Sequence, residues 1–281
     1  MPVAVTCRVL GFTTQGFYKW CANPVSARDW EEAHLLNAAY DIHADDPEFG
    51  YRFIADELAA AGYCTSERRV WRLCSRQGSF SHTVKRARKR GQKPGPPVCD
   101  DLVERDFTAK AVNELWLTDI TEHHTGEGKL YMCAVKDVFS NKIVGYAIDS
   151  QMKSRLAVAA IEDAVTRRGR PHAVAGCVVH SDRGSQFRSR KFQQTLKRLG
   201  LIASMGQVGA AGDNAAMESF FAVLQKNVLN RRRWATRAQL RTAIVHWVER
   251  TYHQKRRQRR LGKLTPVEYE LVHHTAAVLA A

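Results

Sequence analysis

Three acidic residues stand where their type and surroundings could do chemistry. Asp119 lies within the apolar stretch LWLTDITEHH, where burying an acid is costly unless it is paired or binds a cation. Asp182 follows the apolar run GCVVH, and the ends of strands in open α/β sheets commonly carry ligand-binding groups. Glu218 lies on a predicted helix whose apolar stripe, including Met217 and Phe220, would dock it on a sheet. The three acids can meet only through the fold.

Converging carboxylates would supply the hard oxygen ligands that suit Mg²⁺, with Mn²⁺ as a substitute. Two such ions about 3.5 to 4 Å apart can activate a nucleophile and stabilise a leaving oxygen, which makes a phosphodiester the natural substrate. The alternative is that each acid separately caps a helix or pairs with an arginine, as lone carboxylates usually do.

The sequences around the acids decide between these interpretations. WLTDIT, HSDRGSQF and GDNAAMESFF resemble the Asp-Asp-Glu motifs of retroviral-integrase-like transposases, and the 35 residues between Asp182 and Glu218 match the gap of that superfamily. The resemblance is closer to the second-frame product of bacterial insertion sequences of family three. It covers nearly the whole chain, from CRVLGFTTQGFYKW to RRQRRLGKLTPVEYE. By this resemblance Asp119, Asp182 and Glu218 are catalytic metal ligands, and Asn214 is a motif residue beside them.

The resemblance implies a magnesium-dependent transposase that cleaves DNA at the ends of an insertion element. The freed 3′-hydroxyl would then attack a second phosphodiester, so double-stranded DNA, both element ends and target, is the expected partner. Joining two ends implies a homo-oligomer on DNA. The resemblance also implies an upstream first-frame product with a leucine zipper, fused by ribosomal frameshifting or bound, since residues 1–97 show no sustained apolar heptad.

Three residues depart from the family pattern. Gln225 stands where lysine is frequent, seven residues after Glu218, and Lys226 follows it as a candidate DNA contact. His253 stands where asparagine is usual, and Gln258 where histidine is usual. We expect these departures to affect the C-terminal arm more than the chemistry.

Two other functions fit parts of the sequence. A basic DNA-binding regulator with an inactive core would have no reason to retain all three acids. A ribonuclease of the same fold would act on RNA–DNA hybrids and would gain little from an N-terminal DNA-binding region. Magnesium-dependent cleavage of duplex against hybrid separates the three possibilities.

Composition narrows the choice of partner. The formal net charge of +15 over 281 residues favours a polyanion, of which nucleic acid is the commonest. Seven cysteines without a CxxC pair support neither a disulfide framework nor a zinc module. No stretch approaches the roughly 18 apolar residues that a membrane span needs, so we expect a cytoplasmic, nucleoid-associated protein without a membrane partner.

The period of the apolar residues predicts the order βββαβαβα after residue 104. The predicted strands are Leu115 to His124, Leu130 to Phe139, Lys142 to Asp149, 176–180 and 201–205, and the predicted helices are Ser154 to Arg168, Arg190 to Leu199 and one starting near Asn214. This order predicts an α/β fold with a ribonuclease-H-like, mixed five-stranded sheet and helices on both faces. We expect the first three strands to be antiparallel.

A small helical region precedes this sheet. Helices over Tyr51 to Ala61 and about Glu67 to Arg76 are separated by a polar CTSE turn, which predicts a helix-turn-helix. One face of the second helix carries basic side chains, which either contact DNA or are simply solvated. The candidate DNA contacts there are Arg68, Arg69, Arg72 and Arg76.

Charge and composition predict four parts of the chain. These are a helical DNA-binding region (1–84), a basic Pro/Gly linker (85–104), the catalytic core (105–230) and a basic C-terminal helical arm (231–281). In the arm, Lys255, Arg256 and Arg257 are candidate phosphate contacts. In the core, His180 either shuttles protons or supports the site structurally.

Overall fold

The computed structural model describes residues 2–45, 50–78, 96–169, 171–206 and 215–279. The chain forms two compact units, Met1–Thr83 and Val84–Ala281. Asn214 and most of the predicted linker lie outside the described residues. Residues 231–279 belong to the second unit with the sheet, and the four-part division of the chain remains a prediction.

The first unit is helical, as predicted. Its helices are α1 (Val3–Leu10), α2 (Thr14–Ala22), α3 (Ala27–Asp45), α4 (Tyr51–Ala60) and α5 (Glu67–Arg76). Helix α5 begins where the Ser66 side chain accepts a hydrogen bond from the backbone N–H of Arg69 at 3.3 Å. Its apolar stripe, with Val70 and Leu73, packs against Leu58 of α4, and this three-helix core also includes α3.

The second unit contains the predicted mixed five-stranded sheet. Its strands are β1 (Leu115–Thr125), β2 (Gly128–Asp137), β3 (Ile143–Asp149), β4 (Val178–Ser181) and β5 (Ile202–Met205). The spatial order is β3-β2-β1-β4-β5. Strands β1, β2 and β3 are antiparallel, whereas β4 pairs in parallel with both β1 and β5. This arrangement confirms the predicted fold class.

Helices cover both faces of the sheet. They are α6 (Ser154–Arg167), α7 (Ser185–Arg188), α8 (Arg190–Arg198), α9 (Ala215–Leu224), α10 (Arg237–His246) and α11 (Pro266–Leu279). One face, here the α6 face, buries Trp116 and Cys133 against α6 and α8. The other, the α9 face, buries Leu117 and Met132 against α9 and α10. Alternation along each strand sends successive side chains to opposite faces.

The departures at His253 and Gln258 contact the β2–β3 connection. Nε2 of His253 accepts a hydrogen bond from the backbone N–H of Ile143 at 3.1 Å. The side-chain oxygen of Gln258 accepts one from the Asn141 amide at 2.9 Å. Both residues therefore bind the C-terminal segment to the sheet. Among the described helices, none is long and apolar enough to cross a membrane.

Candidate active site

Strands β1 and β4 bring Asp119 and Asp182 to neighbouring positions. Thr118 pairs with Ser181 at the end of the parallel ladder; Asp119 is the next residue of β1, and Asp182 is the first residue after β4. Because adjacent strands lie about 4.8 Å apart, the two carboxylates start from neighbouring backbone positions. The sequence predicted that the fold would bring these acids together, and for this pair it does.

Helix α9 carries Glu218 over the same face of the sheet. Met217 and Phe220 are buried on the α9 face together with Leu117. Asp119 lies two residues after Leu117, so strand alternation directs its side chain to the same face. Glu218 itself is exposed on the first turn of the helix. The apolar stripe thus holds the helix while the glutamate stays accessible.

The electrostatics of Asp119 reflect both other acids. Burial first, then the neighbouring carboxylate of Asp182 and, more weakly, that of Glu218 together raise the pKa of Asp119 to about 7. The Ile120 backbone N–H donates to Asp119 Oδ1 at 2.7 Å and partly opposes this rise. Ionised Asp119 therefore lies in a region of excess negative charge.

This charge suits a divalent cation. Within the described parts of the chain, no lysine or arginine forms an ion pair with Asp119, Asp182 or Glu218, so none of those residues neutralises their charge. No group of three or more His, Cys, Asp or Glu side chains among those residues is placed to hold a metal ion in this arrangement. The donor set is all carboxylate oxygen, which is the chemistry that magnesium prefers.

The turn after β4 fixes the Asp182 side chain. Its Oδ1 accepts a hydrogen bond from the Gly184 backbone N–H at 2.9 Å. A Cβ on Gly184 would lie 2.9 Å from that same oxygen and 3.1 Å from the Gln186 side-chain oxygen. Glycine at 184 therefore leaves room for the carboxylate to turn back onto the chain.

His180 is part of the sheet interior. It is buried, and its Nδ1 lies 3.0 Å from the Ser204 hydroxyl on β5. The Phe107 ring packs against its imidazole with centroids 6.0 Å apart. These contacts favour the structural alternative over a proton shuttle.

The predicted DNA-contacting arginines of α5 differ in their surroundings. Arg69 donates to Glu31 at 2.9 Å, and Arg72 forms an ion pair with Glu32. Arg76 lies 3.9 Å from that same glutamate. Arg68, in contrast, is exposed, and no ion pair joins it to a carboxylate of the described residues. The four arginines are therefore not equivalent.

The other predicted DNA contacts lie in the second unit. Lys226 is partly buried in a π-helical segment, Gln225–Leu229, which continues α9. Lys255 is exposed, and Arg256 is partly buried. Arg257 lies 3.6 Å from Glu268.

Lys136 was missed by the sequence analysis. It is buried in β2, on the α9 face, and its Nζ donates a hydrogen bond to the carbonyl of Ala216 at 3.2 Å. Burial, and secondarily the charge of Arg260, lower its pKa to about 7. Its signal in the sequence was a lysine inside the apolar stretch LYMCAVKD, the same anomaly that drew attention to Asp119.

Comparison with known protein families assigns both parts of the chain. A family model described as "Integrase core domain" matches residues 109–211, and a second with that description matches 199–266. An "HTH-like domain" model matches residues 29–88. The fold and the matched regions thus define an integrase-type protein with a helix-turn-helix-like domain before its core.

Curated relatives narrow the class. The chain is 33% identical to "Transposase InsF for insertion sequence IS3A" of Escherichia coli (strain K12), over 95% of this chain and 93% of that protein. It is 30% identical to the "Insertion element IS600 uncharacterized 31 kDa protein" of Shigella sonnei, over 96% and 99%. The chain belongs to the IS3 family of insertion-sequence transposases.

Two retroviral structures are among the solved structures that align with the chain. The magnesium complex of the HTLV-2 integrase catalytic core (trimeric form) aligns with 18% identity and a TM-score of 0.45, over 58% of this chain and 99% of that one. A chain of the cryo-EM structure of a simian T-cell lymphotropic virus intasome in complex with PP2A regulatory subunit B56 gamma aligns with 14% identity and a TM-score of 0.47, over 83% of this chain and 74% of that one.

Proposed function

We propose that this transposase cleaves DNA strands at insertion-sequence ends and joins them to a target at the site formed by Asp119, Asp182 and Glu218. The observation that carries the proposal is the adjacency of Asp119 and Asp182 at the β1–β4 ladder, with the helix of Glu218 docked over the same face. The relatives of the chain are transposases, which makes DNA the expected substrate.

The three carboxylates would hold Mg²⁺, or Mn²⁺ in its place. When bound, the metal lowers the pKa of a coordinated water and offsets negative charge on the phosphate oxygens. Asp119 and Asp182 extend from two hydrogen-bonded strands, so their spacing is fixed before substrate binds. Glu218 reaches the site from an exposed helical turn, which leaves the scissile phosphate room to enter.

Cleavage of a labelled duplex carrying the element end tests this proposal. We expect strand cleavage with magnesium and none with a chelator, because the ligand carboxylates alone cannot activate water. An equal mixture of DNA duplex and RNA–DNA hybrid serves as the substrate control. Preferential cleavage of the hybrid would indicate a ribonuclease, and DNA binding without cleavage under any divalent cation would indicate a regulator.

We further propose that α5 contacts DNA chiefly through Arg68. Arg69 and Arg72 share their charge with Glu31 and Glu32, whereas Arg68 is exposed. Replacing Arg68 with alanine should reduce the slope of log affinity against log salt by about one, because one phosphate contact is lost. Arg69→Ala is the matched control and should change the slope less. An equal loss for both variants would contradict this distinction.

DNA binding by Lys226, Lys255, Arg256 and Arg257 is part of the same proposal. Assembly as a homo-oligomer on DNA, and supply of end recognition by an upstream first-frame product, complete it. If that product carries the specificity, the isolated chain should show little preference for its terminal repeats over random duplex. Competition binding at near-physiological salt tests this, and a preference of about a thousandfold would contradict it.

A further inference from the structure

Three consecutive arginines form a turn between the π-helical segment after α9 and the start of α10. Arg231, Arg232 and Arg233 are all exposed. Among the described residues, no carboxylate forms an ion pair with any of them. This arginine turn therefore presents three charges that the surrounding protein does not neutralise.

The arginine turn borders a groove against the far end of β1. The groove has a volume of about 710 Å³, and its polar lining includes His123, His124, Asn230, Arg232 and Arg233. No acidic side chain lines it. Burial, together with the neighbouring His124, lowers the pKa of His123, so the His123 side chain adds little positive charge to the groove at neutral pH.

Backbone contacts hold the turn against the strand. The Gly126 N–H donates to the Trp234 carbonyl at 2.9 Å, and the buried indole N–H of Trp234 donates to the Leu229 carbonyl at 3.1 Å. The Arg232 guanidinium lies 4.3 Å from the centroid of the Trp234 ring. Stacking fixes one guanidinium face and leaves its edge able to donate hydrogen bonds.

Two elements lead from the carboxylates to this groove. The part of β1 from Asp119 to Thr125 is about 20 Å long at the rise per residue of a strand. The helix carrying Glu218 continues through the π-helical segment to Leu229, about 17 Å at a helical rise, and the arginine turn follows directly after Asn230. Since successive base pairs of a duplex rise about 3.4 Å, the length along β1 corresponds to about six base pairs.

We propose that the groove binds the phosphodiester backbone of substrate DNA about six base pairs from the bond that is cleaved. The inference rests on the proposed transposase function of the same core. Guanidinium groups donate in pairs to phosphate oxygens, which suits Arg232 and Arg233. Such contacts fix the position of a duplex without reading its sequence. The groove would therefore align the duplex along β1 for the carboxylates.

The test measures how the affinity of the full chain for a DNA duplex depends on salt concentration, in the presence of a chelator. The duplex is about 30 bp long, so that it spans the groove. Arg232→Ala/Arg233→Ala should lower the slope of log affinity against log salt by about two. Lys197→Ala/Arg198→Ala is the matched control, because it removes two exposed charges from the end of α8, on the α6 face. Equal slopes for the groove variant and the parent would overturn the proposal.

Arg233→Glu keeps the stacking of Arg232 on Trp234. It therefore checks that a loss of DNA affinity does not come from local unfolding of the arginine turn. It should weaken binding with an unchanged melting temperature, and unchanged binding would count against the groove. Neutral methylphosphonates about four to eight positions from the mapped cleavage site should weaken binding by the parent but not by the double variant. Failure of the parent to cleave would reject the transposase function, whereas the slopes test the groove separately.

Discussion

The two faces of the sheet differ in whether their buried charged side chains have oppositely charged partners. On the α6 face, Asp137 is fully buried and pairs with Arg168 at 2.9 Å, and Arg168 also reaches Glu270 at 2.6 Å. On the α9 face, Asp119 and Lys136 are withdrawn from solvent, and among the described residues neither has an oppositely charged partner. One face neutralises its charges internally, and the other leaves them uncompensated.

This difference separates structural charges from functional ones. Removing one partner of a buried pair is strongly destabilising, because the other charge is then left alone. A buried charge without a partner already lowers stability, so retaining it calls for a ligand or a chemical role. The comparison therefore predicts opposite outcomes for substitutions on the two faces.

The largest effect is expected for Asp119→Asn on the α9 face. Loss of one carboxylate ligand should reduce magnesium-dependent strand cleavage to background, while DNA binding stays close to the parent and the folded state is not destabilised. Glu122→Gln is the matched control, since Glu122 lies three residues further along β1 and pairs with Lys129. Near-normal cleavage by Asp119→Asn would remove Asp119 from the site.

On the α6 face, Arg168→Ala should act on stability instead. It leaves the fully buried carboxylate of Asp137 without its counter-ion, which should cost about 3 to 5 kcal/mol of unfolding free energy. Arg155→Ala breaks a more exposed ion pair with Asp149 at the start of α6, the helix that Arg168 follows, and should cost at most about 1 kcal/mol of unfolding free energy. Similar losses of unfolding free energy for the two variants, measured by chemical denaturation, would contradict this prediction.

The pH dependence of stability sharpens the contrast. The folded-state pKa of Asp119 is raised to about 7, above its ordinary value, so between about pH 4 and pH 7 the folded state binds a proton that the unfolded state has released. Asp119 therefore lowers stability as pH rises through this window, by at most about 4 kcal/mol. The stability gained by Asp119→Asn in chelator should grow from pH 4 to pH 7. A constant difference would contradict the shift.

The sequence predicted the sheet because its signals are local. Apolar alternation in LWLTDITEHH and LYMCAVKDVF, followed by the short turn before Lys142, specified three antiparallel strands, and these formed. The sequence placed Asp119 within a strand and Asp182 just after one, and the pairing of β1 with β4 is what makes them neighbours. The sequence also predicted a helix starting near Asn214, and that residue lies outside the described part of the chain.

The spacing of residue types in the sequence does not predict contacts between residues that are far apart in the chain. The arginines of α5 gave one charge signal, yet Glu31 and Glu32, more than thirty residues earlier, distinguish Arg69 from Arg68. The groove at the arginine turn depends on contact between Gly126 and Trp234, which no periodicity encodes. Charge counts therefore located basic segments but could not tell which charges remain available to DNA.

The smallest effect is expected for Lys136→Met, which removes the other uncompensated charge of the α9 face. The folded-state pKa of Lys136 is lowered to about 7, so the cost of burying its charge is present in full below that pH and declines as pH rises toward the ordinary lysine value. Methionine keeps most of the side-chain volume, and it loses the hydrogen bond to the Ala216 carbonyl, worth about 1 kcal/mol.

Lys136→Met should therefore raise the free energy of unfolding more at pH 6 than at pH 9. Because the lost bond joins β2 to the first turn of the helix carrying Glu218, cleavage should slow severalfold while duplex affinity is unchanged. Lys129→Met, which replaces a partly exposed lysine on the same strand, provides the control for removing a positive charge. If Lys136→Met left both cleavage and the pH dependence of stability unaltered, Lys136 would belong with the structural charges of the other face.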